Sequence, residues 1–417
     1  RRPPPPRRPP PPPAHQPEPA ELLALVTLSE CLALLGASCA VSDGSHTTPL
    51  VLNDTRLYLR RFWRYEQCIA EGIRQRLALP SSLADPESGP ARTLSRALDQ
   101  LFQSSEAVDY QKLACALAAR NRFAVITGGP GTGKTTTVVN LLAALQAVAG
   151  ESPDRAGRKY RIRLAAPTGK AAARLNESIG GAVSRLPLAE LPGNVDLSDI
   201  PTRVTSLHRL LGSRPDTRKF RHNRDNPLLV DILVIDEASM VDVDLMASVF
   251  DALPDNAQLI LLGDKDQLAS VDAGAVLGEL CQRAFQAHYT PQTAQWLTAM
   301  TGSRLPESLV DESGQPLDQA VAMLRKSYRF REDSGIRAFA EAVNTNALDR
   351  AMVRRIREAA FDDVILLSSP PGKPDPEDTL ELVCRHAING TPEAFANAGP
   401  ERGVEGNTRR PRGGAAA

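Results

Sequence analysis

Short apolar runs alternate along the middle of the chain with longer stretches in which apolar residues recur every three or four positions. The short runs predict strands, and the longer stretches have the spacing of amphipathic helices. This alternation is typical of a parallel sheet with helices on both faces, so the pattern predicts an α/β fold. The predicted strands are Phe123–Ile126, Ile162–Ala166, Ile232–Ile235 and Leu259–Leu262.

The N-terminal part of the chain has a different pattern. The apolar run Leu22–Val41 follows an Arg- and Pro-rich start and so superficially resembles a signal peptide. However, prolines separate the arginines from the run, and Glu30 interrupts it. The run is also too polar to span a bilayer. We interpret this run as a core helix of a soluble protein. Residues 49–59 predict a β-hairpin that turns at Asn53 and Asp54, and an amphipathic helix is expected after the hairpin.

Changes in composition predict the domain boundaries. Segments rich in Pro, Gly, Ser or Arg interrupt the periodic sequence and indicate a disordered leader, a linker and a tail. The helical stretch at 94–119 leads into the strands, and polar loops are expected at 187–203, 213–227 and 287–316. A helix at 335–343 and a strand at 364–367 indicate a second α/β domain that is incomplete. The predicted segments are a leader (1–20), a small N-terminal domain (21–80), a linker (81–92), a main domain (93–320), an incomplete domain (321–368) and a low-complexity tail (369–417).

Charge and cysteine content narrow the functional classes. Lys plus Arg and Asp plus Glu both total 49, so the chain has no overall basic field and nucleic-acid binding would need a local groove. The six cysteines form no C-x-x-C pair and have no metal-ligand spacing with the six histidines. This pattern is typical of a cytoplasmic protein with inert thiols.

A glycine-rich turn follows the first predicted strand and precedes a helical stretch. Its residues satisfy G-x-x-x-x-G-K-[ST], the pattern of a phosphate-binding loop. The glycines let backbone N–H groups approach phosphate oxygens, and the helix directs its free amides to the same anion. Lys134 is expected to reach the β- and γ-phosphates of ATP, and Thr135 to hold Mg²⁺ through its hydroxyl group. The predicted nucleotide-binding residues of this loop are Gly128, Gly129, Pro130, Gly131, Thr132, Gly133, Lys134, Thr135 and Thr136.

Two further polar groups follow predicted strands. Asp236 and Glu237 come directly after Ile232–Ile235. Because ligands of such sheets bind at the carboxyl ends of the strands, we expect this pair beside the phosphate loop. Asp236 is suited to hold the Mg²⁺ hydration shell, and Glu237 to deprotonate the water that attacks the γ-phosphate. Gln267, after Leu259–Leu262, is either a sensor of the γ-phosphate or an ordinary turn residue.

Six motifs in this order resemble those of the superfamily-one DNA helicases and, within them, the RecD-type alpha subunits of exodeoxyribonuclease V. The stretch L-V-L-N-D-T-R-L-Y-L-R-R-F-W-R-Y-E-Q also resembles the N-terminal domain of those subunits, which implies that residues 21–80 form a subunit-interaction domain. The resemblance implies that the main domain is a RecA-like motor domain and that the incomplete domain is the start of a second one. The motifs are G-G-P-G-T-G-K-T-T-T, A-A-P-T-G-K-A-A-A-R-L, T-S-L-H-R-L-L-G, V-I-D-E-A-S-M-V-D, G-D-K-D-Q-L and S-Y-R-F.

The resemblance also implies roles for individual residues. Gln111 matches a glutamine that reads adenine, and Arg329 matches an arginine of the second motor domain that contacts the γ-phosphate. For His208 a buried polar residue on a short helix is nearly as good an interpretation as a DNA contact. The residues that match segments gripping single-stranded DNA are Pro167, Thr168, Gly169, Lys170, Thr205 and His208.

Taken together, the resemblance implies an ATP- and Mg²⁺-dependent 5′-to-3′ DNA helicase subunit that acts in double-strand-break repair and recombination. Its implied partners are single-stranded DNA at a 5′-ended strand and RecB- and RecC-type subunits, with no membrane.

The sequence departs from the family after Arg329, because no S-Q-G-type or T-R-A-type segment follows it. We interpret this as a truncation or a disturbed reading frame near residue 370. Two alternatives therefore stay open. One is a stand-alone or relaxase-type helicase, and the other is a non-catalytic ATP-binding assembly module. A metabolic kinase is disfavoured because the sequence shows no substrate-binding constellation.

Overall fold

The computed structural model describes residues 27–103, 107–149, 158–215, 217, 219–267, 274, 276–329, 334–344, 347, 349–351 and 353–354. The chain divides into two compact units, residues 1–329 and 330–417. The predicted leader, the strand at 364–367 and the tail lie outside the described residues.

Two sheets form in the first unit. A small sheet has the order β1-β2-β3, and a six-stranded sheet has the order β6-β5-β7-β8-β4-β9, in which every neighbouring pair is parallel. The strands are β1 (Val41–Ser42), β2 (Leu50–Asn53), β3 (Arg56–Leu59), β4 (Phe123–Gly128), β5 (Ile162–Ala166), β6 (Val204–Ser206), β7 (Ile232–Ile235), β8 (Gln258–Gly263) and β9 (Val321–Leu324).

Helices connect most of these strands, and the last helix belongs to the second unit. They are α1 (Leu28–Gly36), α2 (Arg60–Ala78), α3 (Gly89–Leu101), α4 (Tyr110–Arg120), α5 (Lys134–Ala149), α6 (Gly169–Val183), α7 (Leu207–Leu211), α8 (Val243–Ala252), α9 (Val276–Leu280), α10 (Pro291–Thr301) and α11 (Gly335–Asn344). Single 3-10 turns form at Leu188–Glu190, Leu197–Asp199, Ala238–Met240, Glu307–Leu309 and Asp318–Ala320.

The large sheet is covered on both faces, as the alternation of apolar runs predicts. Successive residues of a strand point to opposite faces. In β4, Ala124 and Ile126 pack with α3, α4 and α5, whereas Phe123 and Val125 pack with α2 and α8. The strand is therefore apolar along most of its length because both of its faces are buried. The predicted α/β class is confirmed.

Four strands form where the apolar runs predict them. β5 and β7 have the predicted bounds, while β4 and β8 extend slightly further. The apolar pattern does not predict the other two strands of the sheet, β6 and β9. Both are edge strands of only three or four residues, and β9 pairs with β4 through Val125 and Val321. The second domain is expected from the sequence to begin at residue 321, but residues 321–324 complete the first sheet, so the first unit extends beyond that boundary.

Other local expectations also change. The stretch at 94–119 forms parts of two helices, α3 and α4, rather than one. The segment 287–316 contains α10, whose N-cap Thr290 accepts a hydrogen bond from the backbone N–H of Thr293. Pro291 at the first helical position also favours this start. The segment is polar in composition, yet Trp296 and Leu297 of α10 are buried in the core.

The N-terminal region only partly follows the prediction. The hairpin is confirmed, and Asp54 adopts a positive φ of 52° at its turn. The core helix expected in the apolar run is wrong: α1 covers Leu28–Gly36 and buries none of its side chains. α2 packs along α8, and Gly72 permits this approach, since a Cβ there would lie 2.4 Å from Cδ1 of Phe250.

Within the residues that the structure describes, no helix is long and apolar enough to cross a membrane.

Candidate functional site

The predicted nucleotide-binding residues follow the carboxyl ends of three neighbouring strands of the large sheet. β8 lies between β7 and β4, and all three strands run in the same direction. Their carboxyl ends, at Gly128, Ile235 and Gly263, lead respectively into the phosphate loop, the acidic pair and the segment that contains Gln267. The strand order therefore brings together groups that are far apart in the sequence.

The phosphate loop has a glycine-dependent backbone. Gly131 and Gly133 adopt φ values of 75° and 80°, in the region that favours glycine. The hydroxyl group of Thr132 donates to the carbonyl oxygen of Gly129 at 2.9 Å and holds the turn closed. A Cβ at Gly133 would lie 2.2 Å from Nε2 of Gln111, so this glycine also makes room for that side chain.

The predicted lysine lies at the first position of α5. Its Nζ donates to the carbonyl oxygens of Gly128 at 2.7 Å and Gly129 at 3.2 Å. Thr135 and Thr136 follow in the first turn, where the amide groups of a helix lack intrahelical acceptors. A positive side chain and free amides thus lie together, which is the arrangement that binds a phosphate group.

The acidic pair combines a buried carboxyl group with an unusual backbone. Burial raises the pKa of Asp236 to about 6, against the lowering effects of the Glu237 backbone hydrogen bond and of Lys134. Glu237 has φ 53° and ψ 39°, a left-handed conformation that costs a non-glycine residue on the order of 1–3 kcal/mol and is concentrated at functional sites. The 3-10 turn Ala238–Met240 begins directly after it.

Gln267 links the end of β8 to the segment after the acidic pair. Its Oε1 accepts a hydrogen bond of 3.1 Å from the hydroxyl group of Ser239. The same loop is held on β4, because the backbone N–H of Lys265 donates to Oγ1 of Thr127 at 3.1 Å. These two hydrogen bonds connect the loop after β8 both to β4 and to the segment after the acidic pair.

Gln111 lies against the phosphate loop. Its Nε2 donates to the backbone carbonyl of Thr132 at 3.0 Å, across a separation of 21 residues along the chain. Asp109 caps the start of α4 by accepting from the backbone N–H of Gln111 at 2.9 Å. The glutamine that the resemblance singles out is therefore held beside the loop by the start of α4.

Arg329 lies beside the phosphate loop within the first unit. A Cβ at Gly131 would be 2.4 Å from Cβ of Arg329. Arg329 is the last residue of the first compact unit, so its assignment to the second motor domain stays a prediction.

The residue before Arg329 is a site residue that the sequence analysis missed. The backbone N–H of Tyr328 donates to the carbonyl oxygen of Gly131 at 2.8 Å, and the residue is 58% exposed. Its place beside Arg329 in S-Y-R-F is the signal that could have found it.

The segments expected to grip DNA lie at the same carboxyl-end edge of the sheet, after the adjacent strands β5 and β6. Pro167 is buried after β5, and Thr168 caps α6 by accepting from the backbone N–H of Ala171 at 3.2 Å. Gly169 and Lys170 are exposed in the first turn of α6. A Cβ at Gly169 would meet no atom within 4 Å, so the backbone there is open to a ligand.

β6 carries the second of these segments next to the first. Thr205 pairs with Ala165 of β5, and His208 follows on α7. The interpretation of His208 as a buried residue is wrong, since its side chain is exposed and packs edge-on against Phe220 at 5.8 Å between ring centroids. The strand order explains this placement, because β5 and β6 are adjacent.

Within the described residues, no group of three or more His, Cys, Asp or Glu side chains could hold a metal ion. The oxygen groups suited to a cation at the nucleotide site are the Thr135 hydroxyl, on the first turn of α5, and the Asp236 carboxyl group, after β7.

The parallel sheet, the phosphate loop after β4 and the acidic pair after β7 define a RecA-like P-loop motor domain. Residues 111–273 match the family described as AAA domain, and residues 7–58 match the family described as RecBCD enzyme subunit RecD, N-terminal domain. The second match begins inside the predicted leader. Residues 7–58 are thus similar to the N-terminal domain of RecD subunits.

Curated relatives give the extent of this similarity. The RecBCD enzyme subunit RecD of Haemophilus influenzae is 38% identical over 322 residues, which are 77% of this chain and 48% of the relative. The RecD subunit of Mycolicibacterium smegmatis is 40% identical over 334 residues, 80% of this chain and 49% of the relative. The ATP-dependent RecD2 DNA helicase of Deinococcus radiodurans is 34% identical over 229 residues, 55% of this chain and 26% of the relative. The chain spans about half the length of the RecD subunits that it matches.

Solved structures are more distant. A Pif1 helicase from Bacteroides in complex with ADP-AlF3 and single-stranded DNA is 17% identical, with a TM-score of 0.32 over 69% of this chain and 58% of that chain. The class of the fold therefore rests on the strand order and the phosphate loop.

Proposed function

We propose that this chain is the ATP-hydrolysing part of a 5′-to-3′ DNA helicase subunit of an exodeoxyribonuclease V-type complex, acting in double-strand-break repair and recombination. One observation carries the proposal: a phosphate loop and an acidic pair share a sheet edge with two segments suited to a DNA backbone. The similarity to RecD subunits and to a RecD2 helicase supports it.

In this proposal the nucleotide residues act on the phosphates of ATP. Lys134 exchanges its loop carbonyl partners for β- and γ-phosphate oxygens, which are stronger acceptors because they are charged. Glu237 takes the proton of the attacking water, and Arg329 stabilises the charge that develops on the γ-phosphate. Gln267 senses that phosphate and transmits its presence to Ser239.

The adenine base would lie on the other side of the loop. Gln111 and the exposed side chain of Tyr328 both lie next to the loop, through the carbonyl groups of Thr132 and Gly131. The amide of Gln111 suits the hydrogen-bonding edge of the base, and the ring of Tyr328 suits its face.

Mg²⁺ would be held by the Thr135 hydroxyl and the Asp236 carboxylate together with phosphate oxygens and water. This fits the preference of the ion for few protein oxygens. When bound, it neutralises charge on the phosphates. The elevated pKa of Asp236 follows from burial of its carboxyl group, so a cation beside it would favour its charged form.

The DNA would cross the carboxyl ends of β5 and β6. Pro167 shapes the turn, Thr168 and Gly169 bring backbone groups to the surface, and Lys170 supplies a charge for a phosphate. Thr205 and His208 extend this surface on β6 and α7. Partners proposed from the relatives are a 5′-ended single strand and RecB- and RecC-type subunits, in the cytoplasm.

The test is ATP hydrolysis by the full chain, measured with and without a single-stranded oligonucleotide, for the wild type and for Lys134→Ala. The proposal expects hydrolysis that DNA stimulates and that the variant lacks. Tight ATP binding without turnover in either condition would instead support a non-catalytic assembly module.

A further inference from the structure

A cavity of about 660 Å³ lies outside the nucleotide site, between the turn before β2 and the first turns of α2. Its lining combines three arginines with the apolar surface of a tryptophan and a proline. We call this cavity the arginine pocket, and the side chains that matter for its chemistry are Thr47, Thr48, Arg60, Arg61, Trp63 and Arg64.

The arginines of this pocket lie at the end of the helix that least favours them. The N-terminus of a helix carries a partial positive charge, and cations there are destabilising. Arg60 and Arg64 are also four residues apart on one face, where like charges repel. No side chain caps the start of α2 at Leu59. Among the described residues, none of the three guanidinium groups forms an ion pair with a carboxylate.

The guanidinium group of Arg60 is only partly hydrogen-bonded. Nη1 of Arg60 is buried without a hydrogen-bond partner among the described residues, while Nη2 donates to the carbonyl oxygen of Gly44 at 3.2 Å. A buried donor left unpaired costs on the order of 1–3 kcal/mol. An anion in the pocket would offset the repulsion between the three arginines.

Trp63 indicates which kind of anion this is. The ring lines the pocket beside the guanidinium group of Arg60, at 6.0 Å from the ring centroid. Arginines interleaved with an aromatic ring are typical of surfaces that bind single-stranded nucleic acid, because the cations contact phosphates and the ring stacks on a base.

The pocket also adjoins the proposed DNA path. Arg61 lines a second cavity of about 370 Å³, together with His208, Lys219 and Phe220. Asp242 and Asp244 line this second cavity as well. These carboxylates repel a phosphate group in the second cavity, so we assign the anion site to the arginine pocket. Arg61 lines both cavities and so lies between the arginine pocket and His208.

We propose that the arginine pocket binds the phosphate backbone of the single-stranded DNA beyond the motor domain, with Trp63 stacking on a base. This inference rests on the proposed function, because it extends the DNA path of the same motor. It gives the region before the motor domain a direct role in holding the strand.

The first test is the salt dependence of oligonucleotide binding by the full chain. Arg61→Gln and Arg64→Gln together remove two exposed cations, so the fold should be kept. The salt slope is the change in the logarithm of the binding constant with the logarithm of the salt concentration. Removing one phosphate interaction with a single strand lowers the size of this slope by about 0.7, so the slope of the double variant is expected to fall by about 1.4. Arg74→Gln is the matched control, since Arg74 is exposed on the same helix and pairs with Glu71. It should leave the slope unchanged.

Tryptophan fluorescence supplies an independent readout. The chain has two tryptophans, and Trp296 is buried and donates to the carbonyl oxygen of Leu83. Oligonucleotide should therefore quench Trp63, and the quenching should disappear in Trp63→Phe and weaken in the double arginine variant.

If the wild type binds DNA and the double variant shows an unchanged salt slope and unchanged quenching, the inference about the arginine pocket is overturned. The proposed function would not be affected by this result. The same result together with weakened binding of RecB- or RecC-type subunits would make the pocket a protein-docking site instead. A wild type that binds no oligonucleotide would overturn both this inference and the proposed function.

Discussion

At the scale of single residues, the nucleotide site contains a strained backbone, a buried carboxyl group and a backbone conformation that requires glycine. Glu237 has a left-handed backbone, Asp236 has a buried carboxyl group, and Gly133 has a backbone that only glycine adopts readily. Such features persist where the surrounding structure holds them. Here the strands β7 and β4 do so, since both are completely buried.

Lys134→Ala is expected to remove a charged hydrogen bond to the phosphates. Such a bond contributes about 1.5–3 kcal/mol, so the affinity for ATP should fall by roughly 10- to 150-fold. Titration with a fluorescent nucleotide measures this change. The unfolding midpoint serves as the control for folding, and an unchanged affinity would remove Lys134 from the phosphate site.

Glu237→Gln is expected to separate binding from hydrolysis. The amide keeps the size of the side chain but cannot accept the proton of the attacking water. Turnover should fall by about 10²- to 10⁴-fold while ATP affinity stays near that of the wild type. Single-turnover hydrolysis measures the effect, and normal turnover would mean that another group is the base.

Lys170→Ala tests the DNA segment after β5. Removal of a single phosphate interaction with single-stranded DNA lowers the salt slope of binding by about 0.7. The slope is read from oligonucleotide titrations at several salt concentrations. Should it stay unchanged, Lys170 would not lie on the path of the DNA.

At the scale of elements, α2 is fixed to the motor domain by Arg76. Its guanidinium group donates to the carbonyl oxygens of Ala257 at 3.1 Å and Pro254 at 2.9 Å, after the end of α8. It also lies over the ring of Phe250 at 5.3 Å. Burial lowers the pKa of Arg76. The helix before the motor domain is therefore part of the same packed body.

Arg76→Ala is expected to destabilise this packing. It leaves buried carbonyl groups without a donor, and the free energy of unfolding should fall by about 2–4 kcal/mol. Urea unfolding measures it, with Arg74→Gln as the exposed control on the same helix. Equal midpoints for the two variants would show that α2 contributes little to the stability of the motor domain.

Elements that the sequence predicts well are those whose signal is local. β5 and β7 are short, largely apolar runs with polar residues nearby, so their limits are visible in the chain. β6 has only three residues, and the apolar run of β9 is not clearly separated from its neighbours in the sequence. They form strands because β6 pairs with β5 and β9 pairs with β4. That information is not local, which is why the composition alone places Val321–Leu324 in another domain.

Across the chain as a whole, the chemistry of the site is easier to predict than its surroundings. The loop motif and the acidic pair specify their chemistry through residue type and spacing, and the rule for parallel sheets then puts them together. The exposure of His208, the position of Arg329 in the first unit and the contact of Tyr328 with Gly131 depend on packing between distant segments. The motif S-Y-R-F marks Tyr328 and Arg329 by their place in the chain, but no pattern in the sequence predicts their contacts with Gly131.

The proposed function makes one central claim, that ATP hydrolysis by this chain is coupled to DNA binding. It is measured most directly as steady-state ATP hydrolysis by the full chain while single-stranded oligonucleotide is added, with Lys134→Ala and Lys170→Ala in parallel. We expect a rate that rises with DNA, is absent in the Lys134 variant, and needs more DNA to rise in the Lys170 variant. A wild-type rate that does not respond to DNA would contradict a DNA-coupled motor.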